Sequence, residues 1–227
     1  MNDRQKLWRK FRQKWLRDDV GAKVHEPPWT TPERPLCVWP ARRKTRRVVF
    51  LSKDYVYYRW VGGGLSVPPD WMVLSRIGVP DEPQMAFMAD LHKKLRVPWH
   101  YIGDLDTLDL TAFLVMRALN IDFVGRRHAL PVTWLGINDT WLALCRRWKD
   151  PRWRISFGQM NPLEPEHWSV LREVAPELPD TIGPECTRLL DCGQTLDLAA
   201  ASGGYKPGFH PRLMKHLVAT ARTSRRP

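Results

Sequence analysis

The alternation of short apolar runs with helical patterns between residues 47 and 148 constrains the fold of this chain most strongly. Each apolar run is short enough for a strand, and the segment after it repeats apolar residues at helical spacing. Strands that alternate with helices pair in parallel through right-handed crossovers, which place helices on both faces of the sheet. The sequence therefore predicts an α/β fold with a mostly parallel sheet and flanking helices. The predicted strands are 48–52, 71–77, 98–103 and 131–137, and the predicted helices are 80–95, 107–119 and 140–148, the last capped by Asn138 or Asp139.

The segments on either side of this pattern differ from it in composition. Residues 26–47 contain five prolines and a basic cluster, which disfavour regular structure and indicate a linker or a wrapping arm. The folded body is expected to begin at Arg47. Beyond residue 160 the patterns are helical, near 164–176, 184–201 and 209–222. We expect a basic amino-terminal helix and proline-rich arm at 1–46, the α/β domain at 47–148, and a helical carboxyl-terminal extension at 149–227.

Positive charge is concentrated at the two ends of the chain. The formal net charge is +12. Residues 1–48 hold 14 Lys or Arg against 5 acidic residues, and residues 206–227 hold 6 basic residues and no acid. Basic segments of this kind favour a polyanionic partner, because each phosphate that is neutralised releases counterions. DNA, RNA and an acidic protein all remain open as partners at this point.

The amino-terminal segment has the pattern of a basic amphipathic helix. Its aromatic stripe predicts docking on the rest of the chain or on a protein partner, while contact between its cations and nucleic acid is the alternative. Binding to a membrane surface is a weaker alternative, and no membrane partner is expected. The apolar stripe consists of Leu7, Trp8, Phe11, Trp15 and Leu16.

The four cysteines and the hydropathy of the chain bear on its compartment. Cys37, Cys145, Cys186 and Cys192 have no metal-ligand spacing, so neither a zinc site nor a disulfide framework is expected. No apolar run reaches the length of about 18 residues that a membrane span needs, and no signal-peptide core opens the sequence. These features predict a soluble, cytoplasmic protein with reduced thiols.

Three aspartates follow the predicted strand 98–103, in the sequence PWHYIGDLDTLDLTAFL. Asp104 and Asp106 are two residues apart, so on an extended chain their side chains point the same way. Asp109 follows one helical turn later. Sites in open parallel sheets gather at the carboxyl ends of the strands. The pair predicts a metal site at Asp104 and Asp106; the alternative is that an aspartate here caps the next helix, although one cap needs only one acceptor.

Magnesium is the cation that this pair predicts. It prefers oxygen ligands and is usually held by one or two carboxylates together with substrate phosphate, and manganese would serve in the same way. In such a site the cation stabilises charge on the phosphoryl oxygens and on the leaving oxygen.

Three motifs occur in a defined order: VVFLSKD at 48–54, SRIGVPDEPQMAFMADL at 75–91 and VPWHYIGDLDTLDLTAFLVMRAL at 97–119. Their order resembles the Toprim domain, in the form found in topoisomerase VI A subunits, meiotic double-strand-break proteins and Wadjet-type plasmid-defence nucleases. The resemblance covers about residues 47–148 and implies a Toprim-like domain that acts on DNA.

The resemblance also implies roles for individual residues. It assigns Asp104 and Asp106 to the metal and to catalysis. The glutamate that the family carries after its first strand is matched here by Ser52, followed by Lys53, and the nearest acid is Asp54. We therefore expect Asp54 to assist catalysis and Lys53 to contact phosphate. Arg76 either contacts phosphate or is a surface residue. The other predicted DNA-binding residues are Arg42, Arg43, Lys44, Arg46 and Arg47.

These observations favour a DNA-acting protein, with a magnesium-dependent nuclease or nicking subunit of a larger complex as the leading hypothesis. A non-catalytic DNA-binding or scaffold subunit with a degenerate Toprim domain is the alternative, because Ser52 replaces the usual glutamate. A primase-like or RNA-processing role is a weaker third possibility. A covalent topoisomerase reaction by this chain alone is not expected, since its first 47 residues contain no tyrosine.

Overall fold

The computed structural model describes residues 36–53, 67–76, 78–80, 82–117, 130–146, 157–162, 164–198 and 215–220. The chain divides into two compact units, each made of two segments. Unit 1 comprises Met1–Tyr101 and Val115–Thr133, and unit 2 comprises Ile102–Leu114 and Trp134–Pro227. The predicted amino-terminal helix, Asp54 and the predicted boundary after residue 148 lie outside the described residues. The expected division after residue 46 and after residue 148 stays a prediction.

The described residues form one five-stranded sheet with a mostly parallel arrangement. Its strand order is β1-β3-β2-β4-β5. Strand β3 pairs in parallel with β2 and antiparallel with β1. The strands are β1 (Cys37–Trp39), β2 (Arg47–Leu51), β3 (Trp71–Ser75), β4 (Trp99–Ile102) and β5 (Val132–Trp134).

Seven helices and a two-stranded antiparallel sheet complete the described secondary structure. The α/β class and the mostly parallel sheet are thus confirmed, whereas the Toprim-like arrangement stays a prediction. None of the described helices is both long and apolar enough to cross a membrane. The helices are α1 (Glu82–Leu95), α2 (Thr107–Met116), α3 (Asp139–Arg146), α4 (Glu164–Val174), α5 (Leu178–Ile182), α6 (Pro184–Asp191) and α7 (215–220), and the small sheet pairs β6 (Gly158–Gln159) with β7 (Gln194–Thr195).

Strand β1 corrects one expectation. The proline-rich segment was expected to lack regular structure up to Arg47, but Cys37–Trp39 forms a strand at the sheet edge and pairs with β3. Leu36, Cys37 and Val38 are at most 1% exposed. The physical reason is local: the four consecutive residues between Pro35 and Pro40 contain no proline, so their amides can join the ladder and their side chains can pack.

Apolar packing dominates the interior of unit 1. All five residues of β3 are buried, and so are the last four of β2. The rings of Phe50 and Tyr101, which come from neighbouring strands, stack with centroids 5.3 Å apart. On α1, Met85, Met88 and Leu91 are at most 1% exposed, as their helical spacing predicts. This packing fixes the ends of β2 and β3, from which the predicted DNA-binding residues project.

Unit 2 is organised by a carboxylate that joins two helices. Asn138 caps α3, since its Oδ1 accepts a hydrogen bond from the Trp141 amide at 3.1 Å. Asp139 is thereby available for α6, and its carboxylate accepts the amides of Glu185 at 3.0 Å and Cys186 at 2.8 Å. Gly183 precedes α6 with φ +96°, and a Cβ built there would lie 2.4 Å from the Asp139 carboxyl carbon. A glycine is therefore required at this contact.

Helix α6 is shorter than the sequence predicts. The pattern extends over 184–201, but the helix ends at Asp191, and Gly193 follows with φ +71°. Because the left-handed conformation favours glycine, Gly193 stops the helix and lets the chain enter β7. Among the described residues, Cys37, Cys186 and Cys192 form no disulfide. Burial, followed by the nearby Asp139 carboxylate, raises the pKa of the Cys186 thiol.

Candidate metal centre

The turn between β4 and α2 is held by a distant segment of unit 2. The amide of Leu105 donates to the carbonyl of Leu196 at 2.9 Å, and the amide of Leu196 donates to the carbonyl of Leu105 at 3.1 Å. The two residues form an isolated antiparallel bridge, and both are buried. The bridge fixes the backbone on either side of Leu105, and it therefore fixes the directions of the neighbouring acidic side chains.

Asp106 caps helix α2. Its Oδ1 accepts a hydrogen bond from the amide of Asp109 at 2.7 Å, which is the spacing of a side-chain cap. The helix begins at Thr107, so Asp109 lies in its first turn, where the helix dipole favours a negative charge. Capping, which the sequence left open as the alternative, is thus one role of Asp106.

The other two carboxylates accept backbone amides as well. Asp109 Oδ2 accepts the amide of Asp104 at 2.5 Å, and Asp104 Oδ1 accepts the amide of Leu198 at 2.8 Å. Asp104 and Asp109 are each 1% exposed, and Asp106 is half-buried. Hydrogen bonds to a charged acceptor offset part of the cost of removing it from water. They also set the orientation of each carboxylate.

The three carboxylates converge on one place. One ligand oxygen from each of Asp104, Asp106 and Asp109 lies within 4.8 Å of those of the other two. The backbone hydrogen bonds described above each engage one oxygen of the carboxylate that accepts them. A group of hard oxygen donors at this spacing fits a divalent cation such as Mg²⁺. A cation would also neutralise like charges that are otherwise costly to bury together.

The structure brings together two predicted ligands and adds a third. Asp104 and Asp106 lie in one group, as the sequence predicts, and Asp109 joins them. The sequence named Asp109 but did not assign it to the metal. The sequence did contain a signal for the placement of Asp109 beside Asp106, because a residue three positions after a helix cap faces back toward the cap. The contact with Leu198 had no such signal, since it joins residues 94 positions apart.

The predicted phosphate contacts Lys53 and Arg76 lie in unit 1, at the carboxyl ends of neighbouring parallel strands. The amide of Arg76 donates to the carbonyl of Leu51 at 3.1 Å. Lys53 is half-buried. Ser52 is 1% exposed and Arg76 4% exposed, so the alternative that Arg76 is a surface residue is wrong. Arg76 directly follows β3, which is buried on both faces of the sheet, and this position explains the burial of Arg76.

The remaining predicted DNA-binding residues lie at the other end of the same strands. The amide of Arg43 donates to the carbonyl of Pro69, and the amide of Arg46 donates to the carbonyl of Asp70, both at 2.8 Å. These bonds place the basic turn at the amino ends of β2 and β3. The predicted set is therefore divided into two groups, one at each end of β2. Arg42, Arg43, Lys44 and Arg46 are exposed, and Arg47 is half-buried.

No protein-family model matches the chain, and no curated protein is significantly similar to it. The Toprim resemblance consequently stays an expectation that depends on motif order, and the chemistry of this chain has to be inferred from its own residues.

Proposed function

We propose that this protein is a DNA-acting, Toprim-like subunit that cleaves phosphodiester bonds with the help of magnesium. The observation that carries the proposal is the convergence of three carboxylates, whose ligand oxygens lie within 4.8 Å of one another. Asp104, Asp106 and Asp109 would hold the cation. Manganese has a similar preference for carboxylate oxygen and would substitute for magnesium.

The chemistry of the donor set supports this assignment. When bound, the cation would stabilise negative charge on the phosphoryl oxygens and on the leaving oxygen. The contribution of the protein is preorganisation: each carboxylate accepts a backbone amide, so its direction is set before any ligand arrives. Lys53 is retained as a proposed phosphate contact.

The first test replaces two acids without removing their hydrogen-bond acceptors. Asp104→Asn with Asp106→Asn keeps an oxygen at each position while removing both charges. We expect magnesium-dependent nicking of a supercoiled plasmid to fall by at least about 100-fold, because the metal would lose two anionic ligands. Titration with Mn²⁺ should show weaker binding to the same variant. The matched control is Asp180→Asn, which alters an exposed acid of unit 2 and should leave both readouts unchanged.

A non-catalytic DNA-binding or scaffold role is the second candidate. Two observations favour it. Ser52 stands where the resemblance calls for a glutamate, so the usual agent of proton transfer is missing. In addition, Asp104, Asp106 and Asp109 each have a structural role as acceptors of backbone amides. In this case the purified chain would bind DNA but would not nick it, and neutralising Asp104 and Asp106 would change neither property.

A Ser52→Glu variant separates the two candidates further. If the chain is a decayed enzyme, restoring the family's residue type should raise nicking by about 100-fold or more, which is the usual size of a general acid–base contribution. Because Ser52 is 1% exposed, a circular dichroism melt must first establish that the longer side chain is tolerated. Robust nicking by the unmodified chain would contradict the scaffold role.

A further inference from the structure

We infer that the amino-terminal edge of the unit 1 sheet is a docking surface for the phosphate backbone of duplex DNA. Two basic runs that are distant in sequence form this surface, and the sequence predicted only one of them. The choice of DNA rather than another polyanion rests on the proposed function. The surface, called here the amino-edge patch, consists of the exposed cations Arg42, Arg43, Lys44, Arg46, Lys93, Lys94 and Arg96.

The first run is a fixed turn. Its backbone is bonded at two points, from the Arg43 amide to Pro69 and from the Arg46 amide to Asp70. Thr45, in the middle of the run, is 5% exposed, whereas the residues on either side of it are exposed. A buried residue within the run anchors the turn, so the neighbouring cations project from a rigid support.

The second run ends helix α1. Lys93 and Lys94 lie in its last turn, and Arg96 follows. The chain then enters β4, where the carbonyl of Pro98 accepts the amide of Val48 at 3.0 Å. Arg96 is two residues before Pro98, and Arg46 is two residues before Val48. Given the reach of an extended chain and the spacing of paired strands, their Cα atoms lie within about 20 Å of each other.

A span of this size suits one face of a duplex. Duplex DNA carries one negative charge for about every 1.7 Å of its axis, so several consecutive phosphates lie within reach of the two runs. A row of cations at this density would bind the sugar-phosphate backbone without reading the bases.

Acidic side chains offset little of this charge. Among the described residues of this edge, the acids are Asp70 and Asp90, and Asp70 is half-buried. Asp90 pairs with Lys93, with 3.8 Å between Oδ1 and Nζ, and the Lys93 side chain is 75% exposed. An ion pair of this length whose lysine is largely exposed is weak. The patch therefore remains strongly positive.

Arg96 adds an independent observation. Its φ is +50°, and its amide donates to the carbonyl of His92 at 2.8 Å. This is the left-handed position after a helix, which glycine or asparagine usually occupies because other residues are strained there. Strained backbone positions are concentrated at functional sites, so a long cationic side chain at such a position indicates a functional role. A phosphate contact would explain it.

The amino-edge patch is separate from the predicted contacts at the other end of the strands. Five residues of β2 separate its turn from Ser52 and Lys53, a distance of about 16 Å along the strand. A duplex held at the amino edge would thus be bound by residues that take no part in the proposed phosphodiester cleavage. Binding by the patch can be measured without any cleavage.

The experiment measures the affinity of the full chain for a random-sequence duplex of about 30 base pairs at several salt concentrations, with a chelator to remove divalent metal. The double variant Lys93→Ala with Lys94→Ala should bind several-fold more weakly. Its slope of log affinity against log salt should be smaller by about 1 to 2, because one or two phosphate contacts are lost. The matched control is Arg172→Ala with Arg188→Ala, which removes two exposed cations of unit 2 outside the two basic terminal segments and should keep the original slope.

Arg96→Gly provides a readout that a purely structural role would not give. Glycine relieves the left-handed strain, so the midpoint of urea unfolding should rise, while the affinity for DNA should fall about threefold or more. Arg96→Lys keeps the charge and should retain most of the affinity. A rise in stability without any loss of affinity would show that Arg96 does not contact DNA.

Two outcomes would overturn the inference. The first is an unchanged salt slope in both the Lys93/Lys94 and the Arg96 variants. The second is that poly-glutamate competes as well as the duplex at equal charge, which would identify an acidic protein as the partner. Failure of the proposed cleavage would be seen separately, as absence of nicking when magnesium is supplied, and would leave the binding result intact.

Discussion

The two units differ in whether their buried polar groups have hydrogen-bond partners. In the described part of unit 1, the Trp99 indole nitrogen, the Ser75 hydroxyl and His100 Nε2 are buried without a hydrogen-bond partner. In unit 2, the indole nitrogen of Trp141 donates to the carbonyl of Leu135 at 3.2 Å, and that of Trp134 donates to the carbonyl of Ile137 at 3.1 Å. The same chemical group is therefore satisfied in one unit and left unsatisfied in the other.

The difference indicates what stabilises each unit. An unsatisfied buried donor or acceptor is costly, so the sheet of unit 1 depends on apolar burial to offset that cost. The acidic turn of unit 2 is specified by hydrogen bonds that connect residues far apart in the sequence. Substitutions that remove a hydrogen-bonding side chain should therefore destabilise unit 2. Removal of an unsatisfied polar group should leave the stability of unit 1 unchanged or increase it.

The protonation of His100 has the largest expected effect on the free energy of unfolding. Its Nδ1 lies 2.7 Å from the Thr133 hydroxyl, which donates to the carbonyl of Trp99 at 3.0 Å. The hydroxyl proton is thus used, so Nδ1 donates to the hydroxyl oxygen. Burial, and secondarily the charge of Arg47, lowers the pKa of His100 from 6.5 to about 4.

Stability should consequently fall in acid. Between pH 6.5 and pH 4 the unfolded chain binds a proton at His100 that the folded chain does not, so the stabilisation present above pH 6.5 is lost as the pH falls toward 4. The loss is on the order of 3 kcal/mol. Urea unfolding across this range measures it. His100→Asn should flatten the curve, and the exposed His167→Asn should not; equal slopes in the two variants would contradict the assignment.

Asp104 gives the next effect, in unit 2. Asp104→Ala removes the acceptor of the Leu198 amide and leaves a buried donor unsatisfied, which should cost about 2 kcal/mol of unfolding free energy. Asp104→Asn keeps an acceptor oxygen and should cost clearly less. Urea titration at neutral pH distinguishes the two variants. If both unfold at the same urea concentration, this hydrogen bond does not stabilise the turn.

Ser75 gives the smallest effect, with the opposite sign. Its side chain is fully buried and its hydroxyl has no partner among the described residues. Ser75→Ala removes the unsatisfied group without creating a large cavity, so unit 1 should be unchanged or more stable by up to about 1 kcal/mol. A thermal melt measures the difference. A marked loss of stability would show that the hydroxyl has a partner after all.

The sequence predicted the regular part of the fold because periodicity carries that information. Strand β2, helix α1 and strand β4 lie where apolar spacing placed them. Strand β1 was missed because its three residues are too few for a periodic signal, and β6 and β7, with two residues each, are shorter still. Local pattern reveals a strand only when an apolar run or an alternation extends over about four residues or more.

The candidate sites show the same limit. The acids of the turn are neighbours in sequence, so their convergence could be anticipated, but the contact with Leu198 and the role of Asp139 at α6 depend on tertiary structure. Lys93 and Lys94 had an ordinary explanation, since lysines favour the carboxyl end of a helix. Only the pairing of β2 with β4 brings them beside the basic turn.

The glycine at position 183 has a consequence for recognising relatives of this chain. Its backbone has φ +96° and ψ +159°, a region that is essentially restricted to glycine, and the Asp139 carboxylate fills the space where a side chain would stand. The backbone conformation and the Asp139 carboxylate both exclude a Cβ atom at position 183. No single compensating change elsewhere can therefore remove both constraints. A distant homologue that carries another residue at this position must join its two helices by a different route, which makes this glycine an informative marker in an alignment.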